Sequence, residues 1–221
     1  MPGSELLYDS SVQPAVRAYL HRPATANGDG LVVGHGAGSN AQASLLIALA
    51  DEFSVAGFTV LRCDLPYRQL RPYGPPGPGD AARDREGLKN AMAALRKHAD
   101  IRRMFLGGHS YGGRQATMLC AEQPDVGDGL LLLSYPLHPP RKPEQLRTQH
   151  LPSLRTPSLF VEGTRDPFGS IEEMEAAIRL IPARTRLLKI EGAGHDLGLK
   201  GKSRGEDLAK MVRAAFEEIF S

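Results

Sequence analysis

Short runs of consecutive apolar residues alternate along this chain with longer segments in which apolar residues recur every three or four positions. The first pattern is typical of strands buried on both faces, and the second of helices with one buried face. We therefore predict strands at 16–20, 31–33, 59–63, 104–106, 130–134, 158–162 and 186–190. The predicted helices cover 41–54, 80–98, 114–122, 171–181 and 205–220.

This alternation predicts the α/β class, with a mostly parallel sheet covered by helices on both faces. The stretch PYGPPGPG has only the length of a loop, and no repeat or linker divides the chain, so we expect a single domain over 1–221. The segment between the strands at 130–134 and 158–162 is too short for a substantial helical cap. The loops at 64–79 and 135–150 are therefore expected to form the mouth of the site.

The loops that leave the carboxyl ends of the strands are the ones that meet ligands in an open parallel sheet. In this chain they are rich in glycine and polar side chains, whereas the opposite ends carry mostly plain connections. Their sequences are HGAGSN, DLPYRQLRPYGPPGPG, GGHSYGG, SYPLHPPRK, GTRDPF and GAGHDLG. We therefore expect the functional residues at this edge of the sheet.

One of these loops contains the pattern G-x-S-x-G, as GHSYG at 108–112. An apolar strand precedes it and a helical segment follows, which is the context that a nucleophile elbow requires. In this turn the serine adopts strained backbone angles, and the glycines two positions away avoid a clash with neighbouring backbone. Ser110 is therefore the predicted nucleophile.

A serine hydroxyl is a weak nucleophile that needs a base to activate it. In enzymes built on this elbow, the acid and then the histidine follow the serine along the chain. The histidines beyond Ser110 are His138, His150 and His195. His138 and His150 lie in a proline-rich stretch, whereas His195 lies in a glycine-flanked loop after the last predicted strand, so we predict His195 as the base.

The base needs a carboxylate to orient it. Asp125 and Asp128 fall between a helix and the following strand, at the opposite edge of the sheet. Asp166 follows the strand at 158–162, at the same edge as the serine. Asp196 adjoins the histidine, and a carboxylate so near in sequence turns onto the ring with difficulty. We predict Asp166 as the orienting acid.

An acyl-transfer site also needs N–H donors for the oxyanion of the tetrahedral intermediate. The backbone N–H of Tyr111, directly after the serine, is the first candidate. The second should come from the HGAGS loop, where small residues let the backbone approach a substrate. We predict the N–H of Ala37, with that of Gly38 as the neighbouring alternative.

The same glycine-rich loop has a competing interpretation as a dinucleotide site, since Asp64 at the end of the next strand suits a ribose hydroxyl. The third glycine of G-x-G-x-x-G would fall at position 39, which is a serine, and His35 stands between the first two glycines. The lysine of a phosphate loop is missing from its expected place as well. The pattern therefore disfavours nucleotide binding.

Cationic side chains flank the predicted site. Arg68 and Arg71 lie on the loop after 59–63, and Arg114 lies one turn into the helix behind the serine. A guanidinium binds a carboxylate or phosphate bidentately, whereas a shallow site offers little apolar depth for a long acyl chain. We therefore predict Arg68, Arg71 and Tyr135 as substrate-binding residues, and a preference for short acyl groups on negatively charged substrates.

Composition and charge argue against several other classes of function. Lys and Arg number 27 and Asp and Glu 25, with both signs interspersed, so we expect neither nucleic acid nor a membrane as a partner. No apolar run reaches the roughly 18 residues of a membrane span, and the first residues do not resemble a signal peptide. Cys63 and Cys120 lie in apolar segments, so we expect buried thiols and a cytoplasmic location. Monomer and dimer both fit the sequence.

Ser110, Asp166 and His195, together with the HGAG loop, resemble the catalytic set of the α/β-hydrolase superfamily, and the resemblance covers essentially the whole chain. Within the superfamily, the chain is similar to compact, lidless, dienelactone-hydrolase-like enzymes. The stretches LRCDLPYR and GGHSYGGRQA are similar to a branch that includes the hydrolase-like region of a chromatin acetyltransferase complex subunit. Dienelactone hydrolases proper use a cysteine where this chain has Ser110, so their substrate does not carry over.

The resemblance implies a serine hydrolase that cleaves a carboxylic ester, thioester or related acyl bond of a small-molecule substrate through an acyl-enzyme. This reaction needs no metal and no organic cofactor. The alternative is a non-catalytic scaffold of the same fold that binds protein partners. The three triad residue types occur in the expected order, which favours catalysis over the scaffold.

Overall fold

One sheet of eight strands organises the computed structural model, which describes residues 3–198 and 202–221. The strands are β1 (Ser4–Asp9), β2 (Val16–His21), β3 (Asp29–Gly34), β4 (Thr59–Asp64), β5 (Arg103–His109), β6 (Gly129–Leu133), β7 (Ser158–Gly163) and β8 (Thr185–Ile190). The helices are α1 (Ser44–Val55), α2 (Pro66–Leu70), α3 (Asp80–His98), α4 (Tyr111–Glu122), α5 (Ile171–Ile178) and α6 (Lys202–Phe220).

The strand order in the sheet is β1-β2-β4-β3-β5-β6-β7-β8. The strands from β3 to β8 run parallel, whereas β2 pairs antiparallel with both β1 and β4 at one edge. Helices cover both faces of this sheet, which confirms the predicted α/β fold class. Between β6 and β7 the described chain forms a short 3-10 turn at Leu151–Ser153 and no cap domain.

The alternation of side chains along each strand divides the core into two layers. On β6, Leu130 and Leu132 face the layer built by α3, α4 and α5, whereas Leu131 and Leu133 face the layer of α1 and α6. All four leucines are fully buried. Helices on both sides of the sheet therefore explain why this strand is apolar throughout.

Three elements differ from the prediction where the sequence signal is weak. The edge strand β1 buries only Leu7, so it shows no apolar run. The helix α2 begins at Pro66 and has five residues, too few for a helical period. The helix α4 begins at Tyr111, earlier than predicted, because Gly112 and Gly113 are poor helix formers that tertiary packing nevertheless holds in a helix.

Two further predictions concern membrane spans and the number of domains. None of the described helices is long and apolar enough to cross a bilayer. The expectation of one domain over 1–221 stays a prediction, and its residues 1, 2 and 199–201 lie outside the described part of the chain.

Several titratable groups are buried within this core. Cys63 and Cys120 are unpaired buried thiols, as predicted, and burial raises the pKa of each to about 12. In β7, Glu162 is 1% exposed, and its Oε1 accepts a hydrogen bond from the Tyr135 N–H at 2.5 Å. Burial, reinforced by the negative charge of Asp166, raises the pKa of the Glu162 carboxyl well above its usual 4.5.

The buried Glu162 predicts a pH-dependent stability. The unfolded chain ionises this carboxyl near its ordinary pKa, whereas the folded chain holds the proton to higher pH, so folding loses stability as pH rises between the two values. Glutamine has a similar shape and cannot ionise. We therefore expect the free energy of unfolding of Glu162→Gln to increase relative to that of the wild type as pH rises above about 4.5, the ordinary pKa of a Glu carboxyl.

Urea unfolding at a series of pH values measures this difference. Glu144→Gln, which removes an exposed carboxylate, is the control for the loss of one charge. A difference between Glu162→Gln and wild type that stays constant with pH would contradict the buried protonated carboxyl.

Candidate active site

Ser110 occupies the turn between β5, which ends at His109, and α4, which begins at Tyr111. Its backbone has φ 50° and ψ −114°. Such a conformation costs a non-glycine residue on the order of 1–3 kcal/mol. The Ser110 N–H donates to the carbonyl of Leu133 in β6 at 2.8 Å, which ties the turn to the sheet. This is the strain of a nucleophile elbow, in which the hydroxyl stands clear of both strand and helix.

Two glycines let the end of β3 pass directly beside this turn. A Cβ on Gly112 would lie 2.6 Å from the carbonyl carbon of Gly34, and a Cβ on Gly108 would clash with the carbonyl oxygen of Gly34. Both neighbours are backbone atoms that cannot swing away. The glycines of the G-x-S-x-G pattern are therefore required by the close approach of β3, not only by the turn itself.

The structure brings the three residues of the predicted triad together. Ser110 Oγ lies 2.8 Å from His195 Nε2, and His195 Nδ1 lies 2.7 Å from Asp166 Oδ2. The other carboxylate oxygen of Asp166 accepts a hydrogen bond from the Phe168 N–H at 2.8 Å. The side chain of Asp166 is 1% exposed and that of His195 is 23% exposed. A buried carboxylate thus contacts one side of an imidazole whose other side contacts the serine hydroxyl.

The loop that carries His195 is held by residues outside the triad. The Arg165 N–H donates to the carbonyl of Ala193 at 2.9 Å, which joins the loops after β7 and β8. His109 Nε2 donates to the carbonyl of His195 at 2.8 Å, and burial lowers the pKa of this second histidine. The Phe168 ring lies over the His195 ring, with centroids 4.2 Å apart. Sequence reasoning missed His109 and Phe168, because each acts through a contact between separate loops.

The loop at residues 36–39 is anchored from the side that faces the protein interior. His35 Nδ1 donates to the carbonyl of Gly36 at 2.9 Å, while its Nε2 accepts from the Leu65 N–H. Burial lowers the pKa of His35 to about 4, so the ring is neutral at pH 7. The Tyr67 hydroxyl donates to the carbonyl of Ala37 at 2.8 Å.

These anchors set the direction of the N–H groups in the same loop. In a planar trans peptide, the C=O and N–H bonds point in opposite directions. The N–H of Ala37 therefore points away from the anchored Gly36 carbonyl, and the N–H of Gly38 points away from the anchored Ala37 carbonyl. Ala37, Gly38 and Tyr111 all line the cleft above Ser110.

Arg68 takes part in this anchoring and does not reach the cleft. It is 5% exposed, and its guanidinium donates to the carbonyls of Ser39 at 2.7 Å, Gly74 at 2.9 Å, Arg71 at 3.0 Å and Ala37 at 3.3 Å. The short helix α2 turns this side chain inward, behind the 36–39 loop. The expectation of a substrate-binding role for Arg68 is corrected accordingly: the side chain positions a loop.

Arg71 and Tyr135 also lie outside the cleft. The Arg71 guanidinium pairs with Asp80 at the start of α3. Tyr135 is 1% exposed, and its hydroxyl donates to the carbonyl of Arg147 at 3.0 Å. The substrate-binding expectation is corrected for both, because each has its polar end committed to another part of the chain.

A cleft of about 580 Å³ opens above Ser110. Both loops expected at the mouth contribute to it, with Pro75 and Pro76 from one and Pro136 and Arg147 from the other. Arg114 of α4 lines it as well. Arg147 gave no sequence signal, because it lies within a long loop with no pattern that marks its direction.

The chain is similar in sequence to one protein family and to a short segment of a much longer protein. Residues 28–221 match the family model described as Alpha/beta hydrolase domain. A polyketide synthase of Burkholderia thailandensis, ThaQ, is 44% identical over 71 residues, which cover 32% of this chain and 3% of that protein. The chain thus matches only a small part of that curated relative.

Two solved structures share the fold over nearly the full length. A dienelactone hydrolase from Anabaena variabilis has a TM-score of 0.76 and 21% identity, with 100% of this chain and 99% of that chain covered. An α/β serine hydrolase without a lid from Xanthomonas campestris has a TM-score of 0.74 and 13% identity, with 98% and 94% covered. At these identities the likeness shows the fold alone. The expected branch with a chromatin complex subunit stays a prediction.

The hydrogen bond between His195 Nδ1 and the buried Asp166 predicts a strongly deshielded imidazole proton. We expect this resonance in proton NMR spectra of wild type and Ser110→Ala, on protein with isotope-labelled histidine. Asp166→Ala and His195→Gln should lose it, because the donor or acceptor is gone. His109→Gln identifies any signal from the neighbouring ring, and persistence of the His195 signal in Asp166→Ala would contradict the assignment.

Proposed function

The chain belongs to the alpha/beta hydrolase domain family, and we propose that it is a serine hydrolase that cleaves a carboxylic ester, thioester or related acyl bond. The observation that carries this proposal is the path of hydrogen bonds from Ser110 Oγ through His195 to the buried carboxylate of Asp166. A nucleophile, a base and an acid that orients the base are the set that acyl transfer needs.

In the first half-reaction, His195 Nε2 takes the hydroxyl proton as Ser110 Oγ attacks the acyl carbon. The Nδ1–H stays hydrogen-bonded to Asp166, which keeps Nε2 free as the acceptor and stabilises the imidazolium that forms. The imidazolium then gives its proton to the departing alcohol or thiol, and the acyl group remains on Oγ. In the second half-reaction, His195 deprotonates a water molecule that attacks the acyl-enzyme, and the imidazolium returns this proton to Ser110 Oγ as the acid leaves.

The oxyanion of each tetrahedral intermediate accepts hydrogen bonds from Tyr111 and Ala37 in this mechanism. Tyr111 is the first residue of α4, so its N–H has no acceptor within the helix and lies at the positive end of the helix dipole. The N–H of Ala37 is turned away from the anchors of its loop, and that of Gly38 is the neighbouring alternative. Loss of one such donor typically costs about 2.7–4 kcal/mol in transition-state stabilisation.

The proposed substrate is a small molecule with a short acyl group. The cleft of about 580 Å³ is in the range of small-molecule sites, and the described chain has no cap that would extend it for a long acyl chain. The buried, unpaired Cys63 and Cys120 fit a reducing compartment, so we propose a cytoplasmic location.

A fluorophosphonate probe should label the folded protein at Ser110 alone, because this reagent reacts with an activated serine. Ser110→Ala should abolish labelling, and Asp166→Asn should slow it by orders of magnitude, since the tautomer of His195 is no longer enforced. Mass spectrometry of the modified peptide identifies the site, and thermal unfolding verifies that each variant is folded. A folded wild type that takes no label would favour the non-catalytic scaffold instead.

Replacement of Arg68 tests the anchoring of the 36–39 loop. Lysine retains the charge but cannot reach four carbonyls with a planar fork, so the Ala37 and Ser39 carbonyls lose support and the loop that carries the candidate oxyanion donors is held less firmly. We expect Arg68→Lys to lower kcat on a simple nitrophenyl ester by roughly 10- to 100-fold, less than the loss of a whole oxyanion donor, with little change in KM.

The matched control is Arg71→Ala, which removes a neighbouring guanidinium that pairs only with Asp80 among the described acidic residues. This variant should hydrolyse the ester at nearly the wild-type rate. A rise in KM at unchanged kcat in Arg68→Lys would point to substrate binding and contradict the positioning role.

A further inference from the structure

Two arginines line the cleft, and the part of the chain that the structure describes offers no carboxylate to balance them. Arg114 lies in the first turn of α4, where its backbone N–H donates to the carbonyl of Ser110 at 3.0 Å, and Arg147 lies in the loop between β6 and β7. Neither forms an ion pair with any of the described acidic residues. The residues outside the described part of the chain, 1, 2 and 199–201, include no Asp or Glu. The cleft therefore carries two positive charges beside the nucleophile.

Among the described residues, few of the hydrogen-bond donors of these two side chains have a protein acceptor. Within the described residues, Arg114 Nε is buried without an acceptor, and no hydrogen bond is formed by the rest of its guanidinium. Arg147 directs Nη1 to the carbonyl of Pro136 at 3.1 Å, and its other nitrogens have no protein acceptor there. A guanidinium carries five N–H donors, and buried donors are normally satisfied. The described residues therefore satisfy few of these donors, and an oxyanion with several lone pairs matches the donors that are left.

The fold fixes the backbone of Arg147 beside the cleft that Arg114 also lines. The Arg147 N–H donates to the carbonyl of Leu137 at 2.8 Å, and the Arg147 carbonyl accepts from the Tyr135 hydroxyl, so the backbone at this point is fixed. Burial, together with the nearby charge of Arg114, lowers the pKa of Arg147. The same two causes, with burial the larger, lower the pKa of the adjacent His150 to about 4, so that ring adds no charge at pH 7. A bound anion would remove the repulsion between the guanidinium groups.

We propose that Arg114 and Arg147 bind an anionic carboxylate or phosphate group of the substrate while its acyl bond lies at Ser110. The inference rests on the proposed hydrolase function of the same cleft and names its substrate class: a small ester or thioester with a negative charge away from the scissile bond. Planar guanidinium groups suit such oxyanions, because they donate two parallel hydrogen bonds to them.

Matched pairs of esters test this subsite on either side of the scissile bond. On the acyl side, the para-nitrophenyl half-ester of adipic acid differs from para-nitrophenyl hexanoate only by a carboxylate in place of a methyl group. On the leaving-group side, the pair is para-acetoxybenzoate and its methyl ester. We expect the charged member of one pair to have a kcat/KM at least about 10-fold higher, as one charge-assisted hydrogen bond supplies.

Variants assign the preference to the two arginines. Arg114→Met combined with Arg147→Met should bring the members of the pair to equal kcat/KM. The double lysine variant, which keeps the charges and loses the planar forks, should retain part of the preference and covers the case in which the methionine variant fails to fold. Arg155→Met removes an exposed arginine outside the cleft and should leave both the activity and the preference intact.

The outcomes separate this inference from the proposed function. Equal kcat/KM within both pairs for wild type would overturn the anion subsite and leave the hydrolase standing. If no ester is turned over, calorimetric titration with adipate and with inorganic phosphate decides the subsite by itself. Weaker binding to the double methionine variant or to the double lysine variant supports the anion subsite. Absence of binding to the wild type, or equal binding to wild type and both variants, overturns the subsite. Binding of one ligand alone tells a carboxylate from a phosphate.

Discussion

The close approach of the β3 backbone to the turn at Ser110 is the constraint on which the rest of the site depends. The carbonyl of Gly34 occupies the space that a side chain on Gly108 or Gly112 would need, so strand, turn and helix meet backbone to backbone. Ser110 is left to project its side chain from this junction, at a φ of 50°. Such strain persists because the surrounding sheet hydrogen bonds and the two buried layers over-determine the local conformation.

The loops around this junction are held by buried polar side chains whose partners are backbone carbonyls. His35, Tyr67 and Arg68 hold the 36–39 loop, and His109 holds the loop of His195 in the same manner. Buried donors need acceptors, and carbonyls supply them without a further charge. A carbonyl bound from behind leaves the N–H of the same peptide directed toward the cleft. The hydrogen bonds to these carbonyls therefore hold the loop in place and also turn its N–H groups toward the cleft.

The charge of the cleft differs from the charge of the chain. With 27 basic and 25 acidic side chains, the whole protein is nearly neutral. Two arginines near the site have a carboxylate partner, Arg71 in Asp80 and Arg85 in Glu122. Arg114 and Arg147 have no such partner among the described acidic residues, and Arg147 is partly buried, where charges interact more strongly than in water. The positive charge of the cleft thus arises from where these two arginines lie and not from the amino-acid composition of the chain.

The succession of strands and helices was predictable from the sequence, because a buried strand must be apolar on both faces and a helix must repeat its apolar positions. It also pointed to Ser110, Asp166 and His195, since the carboxyl ends of parallel strands meet at one edge and an elbow leaves a local glycine pattern. The positions of the arginines were not predictable in this way and follow from the fold. Arg68 turns inward to the loop of β3, whereas Arg147 enters the cleft from a loop without a pattern. The direction of a long, flexible side chain depends on which carbonyls and charges come within reach from distant segments, and those distances exist only once the chain has folded.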